Sequence, residues 1–401
     1  MKILVITQYY FPEQFKINDI CETLVKNGHT IQVLTGLPNY PKGIIFDEYK
    51  QGKNRIETIN GVHIGRSYLV GRGSGTISLA LNYLSFMVSS SIKALFMKNQ
   101  YDAVFVYQLS PVLMAFAGLM YKWKNKVPLY LYCLDLWPES LKVTLKNEES
   151  LIYKSVSFIS KLIYNKSDKI GVTSKPFIGY LSDKHGVNLE KIHYLPQHGY
   201  EMISSSDELY VEHEGINISY FGNIGKAQDF ECLVRNIDKV NENVFFHIIG
   251  DGSELENLRK LVNQNHLNLR IKLHGYLKKD DLTALYQSTD ICFLSLKPDS
   301  SIGNTLPSKM IEYLSVGKPV LAFAGGSIKE LIKEAECGYC VDFGNDEEFV
   351  EKINLLARNR NQRESFGRNG RVYFDEHFTK QKFISNLENQ LYDLIGGTKN
   401  V

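Results

Sequence analysis

The chain has 401 residues, 44% of them hydrophobic and 22% charged, which excludes disorder as its main state and suits two domains. The formal net charge of +2 gives no case for nucleic acid. The charge is unevenly divided: residues 1–200 carry 23 Lys and Arg against 14 Asp and Glu, a net of +9, and the remainder 23 against 30, a net of −7, so an anionic surface would be met by the first half alone.

Apolar runs of strand length alternate with helical patterns along the whole chain. In the first half they fall at 2–7, 30–35, 62–67, 103–108, 128–135, 169–174 and 192–196. In the second half they fall at 217–222, 244–250, 270–275, 291–296, 319–323 and 338–343. Most are unbroken rather than alternating, as in parallel strands buried on both faces. The order strand–helix–strand predicts a doubly wound α/β sheet in each half. Residues 201–215 contain Ser204-Ser205-Ser206 and several acids with little apolar pattern, and read as a linker. The expected organisation is a first domain over 1–200, a second over 216–377, and a C-terminal helix over 378–396 that docks back on the first. Two such domains facing each other would leave a central cleft lined by the carboxyl ends of their strands, where ligands bind in open α/β sheets.

The opening run 1–7 is too short for a signal peptide, and the expected setting is cytosolic and reduced. Cys337-Gly-Tyr-Cys340 has CxxC spacing without a second pair; it reads as a turn entering a strand, with zinc or redox chemistry as the alternative. From 73 to 92 there is no charge, yet five serines and an asparagine between 78 and 91 argue against a membrane-spanning helix. Two readings stay open: a buried helix over 79–97, or a helix whose apolar face lies on a membrane surface.

The loops after strands carry the candidate chemistry. After the first strand, Lys16, Asn18 and Asp19 offer polar contacts to an acceptor, and Tyr40 in Leu37-Pro38-Asn39-Tyr40-Pro41 offers another wall. Gly71-Arg72-Gly73-Ser74-Gly75 reads as either a phosphate loop or a hinge on the acceptor side. Asp135 closes an apolar strand and is a candidate acid/base or hydroxyl-orienting group, the alternative being a cap for the next turn. Gly222-Asn223-Ile224-Gly225-Lys226 ends the second domain's first strand; Lys226 is within reach of a phosphate there, although a structural turn fits as well. Gly250-Asp251-Gly252-Ser253 is again strand, turn, helix, with Asp251 as part of a site wall or merely a cap. The strongest local feature runs from Ser300 to Leu314. Gly303 permits close backbone approach, and Pro307 suits a first helical turn. The free N–H groups of that turn, with Thr305, Ser308 and Lys309, would form an anion site for a diphosphate. Glu312 one turn on is an acceptor suited to ribose hydroxyls. An ordinary capped helix with a Lys–Glu pair is the alternative.

No HExxH, clustered Cys/His set, Walker P-loop or strand-end Asp-x-Asp is present. No metal and no cofactor are expected, so a diphosphate leaving group would rely on helix N–H groups and lysines.

These motifs, in this order and over nearly the whole chain, resemble the retaining nucleotide-sugar transferases of glycosyltransferase family 4, which have the GT-B fold of two facing Rossmann-like domains. The resemblance rests on Tyr10-Phe11-Pro12-Glu13, Asp135-Leu136-Trp137-Pro138-Glu139, Gly222-Asn223-Ile224-Gly225, Gly250-Asp251-Gly252, and Pro307-Ser308-Lys309 through Glu312 to Gly317-Lys318-Pro319-Val320. With Leu37-Pro38-Asn39-Tyr40-Pro41 it looks most like the branch holding bacterial N-acetyl-L-fucosamine transferases of O-antigen and capsule assembly. It implies that Glu312 binds the ribose, that Thr305 and Leu306 contact the diphosphate by their backbone, and that Gly250-Asp251-Gly252 encloses base and ribose. It implies that Asp135 faces the reacting sugar. The sequence departs from the family where a glutamate near the donor sugar is Asn304. It departs again where an Arg and a Lys that clamp the diphosphate are Asn223 and Gln228, which leaves Lys226 and Lys309 as substitutes. A glycine pair is replaced by Gln14 and Phe15, and a catalytic-face histidine by Leu134.

The resulting expectation is a metal-independent retaining transferase at the inner face of the cell membrane. It moves a sugar from a UDP-sugar to a polyprenyl-diphosphate-linked saccharide, with Asp135 and Lys226 as catalytic groups. The rivals are a sugar-nucleotide epimerase on the same scaffold and a non-catalytic sugar-binding protein.

Overall fold

The computed structural model describes residues 1–73, 75–143, 147–200, 214–277, 279–297 and 306–396. The chain divides into two units, Met1–Leu195 with Ile384–Val401, and Pro196–Phe383.

The first unit runs β1 (Lys2–Ile6), α1 (Lys16–Lys26), β2 (Thr30–Thr35), β3 (Ile56–Ile59), β4 (Val62–Arg66), α2 (Thr76–Phe96), β5 (Ala103–Gln108), α3 (Ala115–Asn125), β6 (Leu129–Cys133), α4 (Leu151–Lys166), β7 (Lys169–Val172), α5 (Pro176–His185) and β8 (Ile192–Tyr194). Its sheet has the order β3-β4-β2-β1-β5-β6-β7-β8. All pairs are parallel except β3 with β4. The five residues of β6 and the six of β5 are buried throughout, as their unbroken apolar runs require. The β3 strand is absent from the expected list. Its exposure alternates and it is only four residues long, so its apolar signal is weak. The Asn60-Gly61 pair after it, both at positive φ, is the hairpin signature that marks it.

The second unit runs β9 (Ile216–Phe221), α6 (Glu231–Asn236), β10 (Val244–Ile249), α7 (Leu255–Gln264), β11 (Ile271–Gly275), α8 (Lys279–Gln287), β12 (Ile291–Ser295), α9 (Ser308–Ser315), β13 (Val320–Phe323), α10 (Ser327–Ala335), β14 (Gly338–Val341), α11 (Asp346–Arg358) and α12 (Arg360–His377). Its parallel sheet has the order β11-β10-β9-β12-β13-β14, a doubly wound Rossmann arrangement. The order reverses between β9 and β12, so the crevice beyond their carboxyl ends is this unit's binding position. The equivalent reversal in the first unit lies between β1 and β5.

The last helix, α13 (Lys380–Leu394), spans the division between units. Leu387 and Leu391 are fully buried. Glu388 accepts a hydrogen bond from Asn27 Nδ2 at 2.7 Å and lies 3.1 Å from His29 Nε2. The boundaries differ from those expected at 200 and 377. Residues 196–200 group with the second unit, where the Gly199 N–H donates to the Phe378 carbonyl at 2.9 Å. Most of the expected linker, 201–213, lies outside the described residues.

Among the described residues, one helix is long and apolar enough by length and composition to cross a membrane: α2, of which 22% is buried across its most apolar window. Asn82, Phe86, Ser90 and Ala94 form its buried face. Ile77, Leu81, Leu84, Val88, Ile92 and Phe96 are all exposed, and their spacing of three or four residues places them in one stripe along the helix. The expected buried helix over 79–97 therefore begins three residues earlier and buries only one face.

The CxxC cysteines are free and pack against the second sheet. Cys337 is fully buried, and Cys340 Sγ donates to the Ala324 carbonyl. Burial pushes their thiols up to about 12 and about 11. They form the turn into β14 and its third residue.

Candidate active site

In the second unit, the loops after β9 and β10 are zipped together. Gly222 N–H donates to the Ile249 carbonyl at 2.8 Å, and Ile224 N–H to the Asp251 carbonyl at 2.8 Å. Gly250 sits at φ +139, and a Cβ there would lie 1.8 Å from the Gly222 carbonyl oxygen. Only glycine permits that approach. The Asp251 carboxylate accepts the Gly252 N–H at 2.7 Å, so it caps its own turn. Gln228 does the same for Gly225 at 3.0 Å.

Helix α9 stands beside these loops. Its Tyr313 hydroxyl accepts from the Phe221 N–H at 3.1 Å and donates to the Phe293 carbonyl at 3.0 Å, which ties α9 to the ends of β9 and β12. That anchorage sets Lys309 over Tyr220. The ammonium lies 4.0 Å from the ring centroid and donates to the Tyr220 hydroxyl. A side chain at Gly222 would meet this ammonium at 2.9 Å. Burial pushes Lys309 down to about 8, with Glu312 one turn further pulling it back up. A lysine charge at the sheet's reversal point, beside free N–H groups of a helix start, is the combination that an anion would need there.

Lys309, Glu312, Gly222 and Gly250 are thus brought together, with the exposed Asn223 and Ser308 at the same loop and helix start. Leu306 packs on the core under α9. Gly303, Asn304 and Thr305 lie outside the described residues. Lys226 goes elsewhere: it is exposed and lines a hollow of about 290 Å³ with Glu254, Asn257 and Lys297.

In the first unit, Asp135 follows β6 half-buried. Its carboxylate accepts a hydrogen bond from the Ser110 hydroxyl, and its carbonyl accepts from Gln108 Nε2 at 2.8 Å. Trp137 Nε1 also donates to Ser110 at 3.2 Å. Glu139, four residues on, accepts from Tyr180 at 2.8 Å and Tyr153 at 3.3 Å and pairs with Lys142, so it braces the loop.

Among the expected acceptor residues, Lys16 opens α1 and Asp19 lies in its first turn. Asn18 Nδ2 donates to the Glu13 carbonyl at 2.8 Å and shapes the loop. Tyr40 belongs to an aromatic triangle with Tyr9 and Phe15, at centroid distances of 5.9 and 5.5 Å. Beneath it Glu13, 4% exposed, accepts the N–H groups of Asn39 at 2.8 Å and Tyr40 at 2.7 Å. Burial raises Glu13 to about 7, against the opposing pull of these N–H groups. A carboxyl raised on folding stabilises the protein below its unfolded value and loses that contribution as pH climbs to the folded one. Glu13→Gln keeps an acceptor for both N–H groups. It is expected to flatten the fall in stability between pH about 4.5 and 7, read by urea unfolding at several pH values. An unaltered pH slope would refute this role.

Sequence reasoning missed Tyr220, Tyr313, Ser110 and Glu13 as shaping groups. Glu13 stood within a quoted motif, but the Tyr313 and Ser110 partners lie 92 and 25 residues away and leave no local pattern.

Comparison with known proteins gives the class. The chain matches Alr3699/HepE of Anabaena, solved in complex with UDP, with a TM-score of 0.71 at 15% identity, over 98% of this chain and 100% of that one. The fold is accordingly GT-B, built of two Rossmann-like domains. Residues 207–373, most of the second unit, match the family Glycosyl transferases group 1. Among curated relatives, the chain is 25% identical to N-acetyl-alpha-D-glucosaminyl L-malate synthase of Bacillus anthracis over 186 residues, 46% of each chain. It is 24% identical to the putative colanic acid biosynthesis glycosyl transferase WcaI of Escherichia coli K12, over 79% of this chain and 82% of that one. The match thus spans about half the length of the first relative and most of the second.

Proposed function

We propose that the protein is a retaining glycosyltransferase that moves a sugar from a UDP-sugar bound by the second unit to a lipid-linked saccharide bound by the first. The observation that carries the reading is Lys309, held over Tyr220 beside Gly222 at the sheet's reversal point, with Glu312 one turn on. Lys309 and the first-turn N–H groups of α9 take the diphosphate, and Glu312 takes the ribose hydroxyls. As the bond from the sugar C1 to the phosphate oxygen breaks, negative charge grows on the diphosphate, and a fixed cation in a partly dry site stabilises it. The acceptor hydroxyl approaches from the same face, forms the new C1–O bond, and passes its proton to the departing phosphate oxygen. Asp135, fixed by Ser110, orients that hydroxyl. Lys226 adds charge only from the rim.

An N-acetylated hexose, N-acetyl-L-fucosamine among them, is the proposed sugar, and surface polysaccharide assembly the proposed role; the names of the two relatives above support this choice. The acceptor is a polyprenyl-diphosphate-linked saccharide at the inner face of the cell membrane. Support comes from the exposed stripe of α2 and from the charges of its neighbours. Helices α2, α3 and α4 hold Lys93, Lys122, Lys124, Lys154, Lys161 and Lys166 and no acid, and expose Trp123, Leu151, Ile152 and Phe158. Exposed apolar side chains on helices whose own charges are all lysines suit an anionic lipid surface, with Lys122 and Lys154 also paired to Asp168 and Glu149.

The test is a thermal-shift series with UDP, GDP, CMP and free sugars on wild type and Glu312→Ala. A ligand at 100 times its dissociation constant adds about 2.7 kcal/mol of stability. UDP is expected to raise the melting temperature of wild type and not of Glu312→Ala. Equal responses in the two proteins, or none in either, count against the donor site.

A further inference from the structure

The loop after β4 reaches the aromatic triangle of the first unit. The Arg72 backbone N–H donates to Asn39 Oδ1 at 3.2 Å, and the next residue's N–H donates to the Gly43 carbonyl at 2.9 Å. These bonds lay the Arg72 guanidinium over the Tyr40 ring, 5.6 Å from its centroid. Arg72 is half-buried and has no carboxylate partner among the described residues. Arg66, six residues earlier, is by contrast buried and paired with Glu57 at 2.8 Å.

Two hydroxyls share the place. The Tyr9 hydroxyl is buried with no hydrogen-bond partner among the described residues. Burial raises Tyr9, with Tyr83 adding to the rise and Arg72 opposing it. Tyr83 is raised chiefly by burial as well, with Arg72 lowering it and the Asp135 carboxylate raising it. Arg72 therefore lies within electrostatic reach of both hydroxyls, and Asp135 within reach of Tyr83. The loops bearing them are locked from below by a chain of polar contacts: Gln8 Nε2 to Asn82 Oδ1 at 2.7 Å, Asn82 Nδ2 to the Val70 carbonyl at 2.6 Å, and Glu13 to the N–H groups of Asn39 and Tyr40. A rigid platform thus presents one aromatic face, one unneutralised guanidinium and one unsatisfied donor.

We infer that this is a subsite for an acceptor sugar carrying an anionic group: Tyr40 bears on the sugar ring while Arg72 and the Tyr9 hydroxyl grip the oxyanion. A guanidinium binds phosphate or carboxylate through paired N–H groups, and an aromatic face accepts the C–H face of a pyranose. The inference deepens the proposed transfer and rests on it for the word acceptor. It does not rest on it for the chemistry of the subsite.

The test uses the full-length protein, with and without saturating UDP. Three probes are titrated and followed by ligand-observed NMR: N-acetylglucosamine 1-phosphate, glucuronic acid and N-acetylglucosamine. Wild type is expected to bind at least one anionic probe about tenfold or more tightly than the neutral sugar, and UDP is expected to leave that preference in place. The phosphate and uronate arms tell which oxyanion is read. Arg72→Gln is expected to erase the preference and Arg72→Lys to restore part of it, with melting temperatures unchanged. Tyr40→Leu is expected to weaken all three probes alike. Equal affinities in wild type, or a preference that survives Arg72→Gln, would overturn the subsite. If UDP fails to bind while the anion preference persists and needs Arg72, the donor reading falls and the subsite stands. A preference that UDP abolishes and Lys309→Met removes belongs to the second unit, and the subsite falls.

Discussion

Lys309→Met is expected to lower turnover by about 10²–10³-fold, the usual loss when one preorganised group facing a developing oxyanion is removed. Methionine keeps most of the volume over Tyr220, so the effect reads the charge rather than the packing. The pH dependence supplies a second signature. Burial has lowered the lysine to about 8, so its cation is present below that pH and lost above it. UDP affinity of the wild type should therefore fall as pH rises past about 8, less steeply where the bound diphosphate itself holds the proton on. The same shift acts on stability in the opposite sense. Between about 8 and the unfolded value of 10.5 the unfolded chain holds the extra proton, so this residue's contribution to stability grows with pH over that window. Calorimetric UDP titrations at pH 7 and 9 decide the matter. A slope that persists in Lys309→Met would assign the titration to another group.

Gly250→Ala is expected to be strongly destabilising. Its φ of +139 is strained for any side chain, and the added Cβ would lie 1.8 Å from the Gly222 carbonyl oxygen, so the two zipped loops must part. Backbone strain of this kind costs roughly 1–3 kcal/mol, and parting the loops adds to it. A loss on the order of 5–10 °C in melting temperature follows for a unit of this size. Gly344→Ala is the matched control. Gly344 is also at positive φ, +92, but open space surrounds it, so strain acts there without a clash. Similar losses in the two variants would show that conformation alone, and not the approach of the loops, selects glycine at 250. The variant should also lose UDP stabilisation, because Gly222 stands beside the Lys309 ammonium.

These predictions combine features of two kinds. The sheet architecture was legible in the sequence because buried parallel strands are unbroken apolar runs, and the binding ends followed because crossovers between such strands leave loops at one edge. Thirteen strands were expected where fourteen occur among the described residues, and the missing one, β3, is the antiparallel edge strand whose alternating exposure thins its apolar signal. The helix at Pro307 and the glycines at 222 and 250 were legible for the same local reason: each is required by the conformation of its own few residues.

Side-chain partnerships were not legible. Lys226 and Lys309 are equivalent candidates by spacing, each a lysine near a strand end. Only the Tyr313 hydroxyl, bridging β9 to β12 from α9, sets one of them over Tyr220 and leaves the other on an exposed hollow. The same holds for Asp135 with Ser110, and for Arg72 with Tyr40. The sequence by itself determined the two sheets and the loops in which chemistry is possible, because hydrophobic periodicity and backbone conformation act over a few residues. The tertiary structure decided which charges are buried, paired or left open, because those depend on groups 25 to 92 residues apart that meet only when the strands align and water is excluded from between their loops.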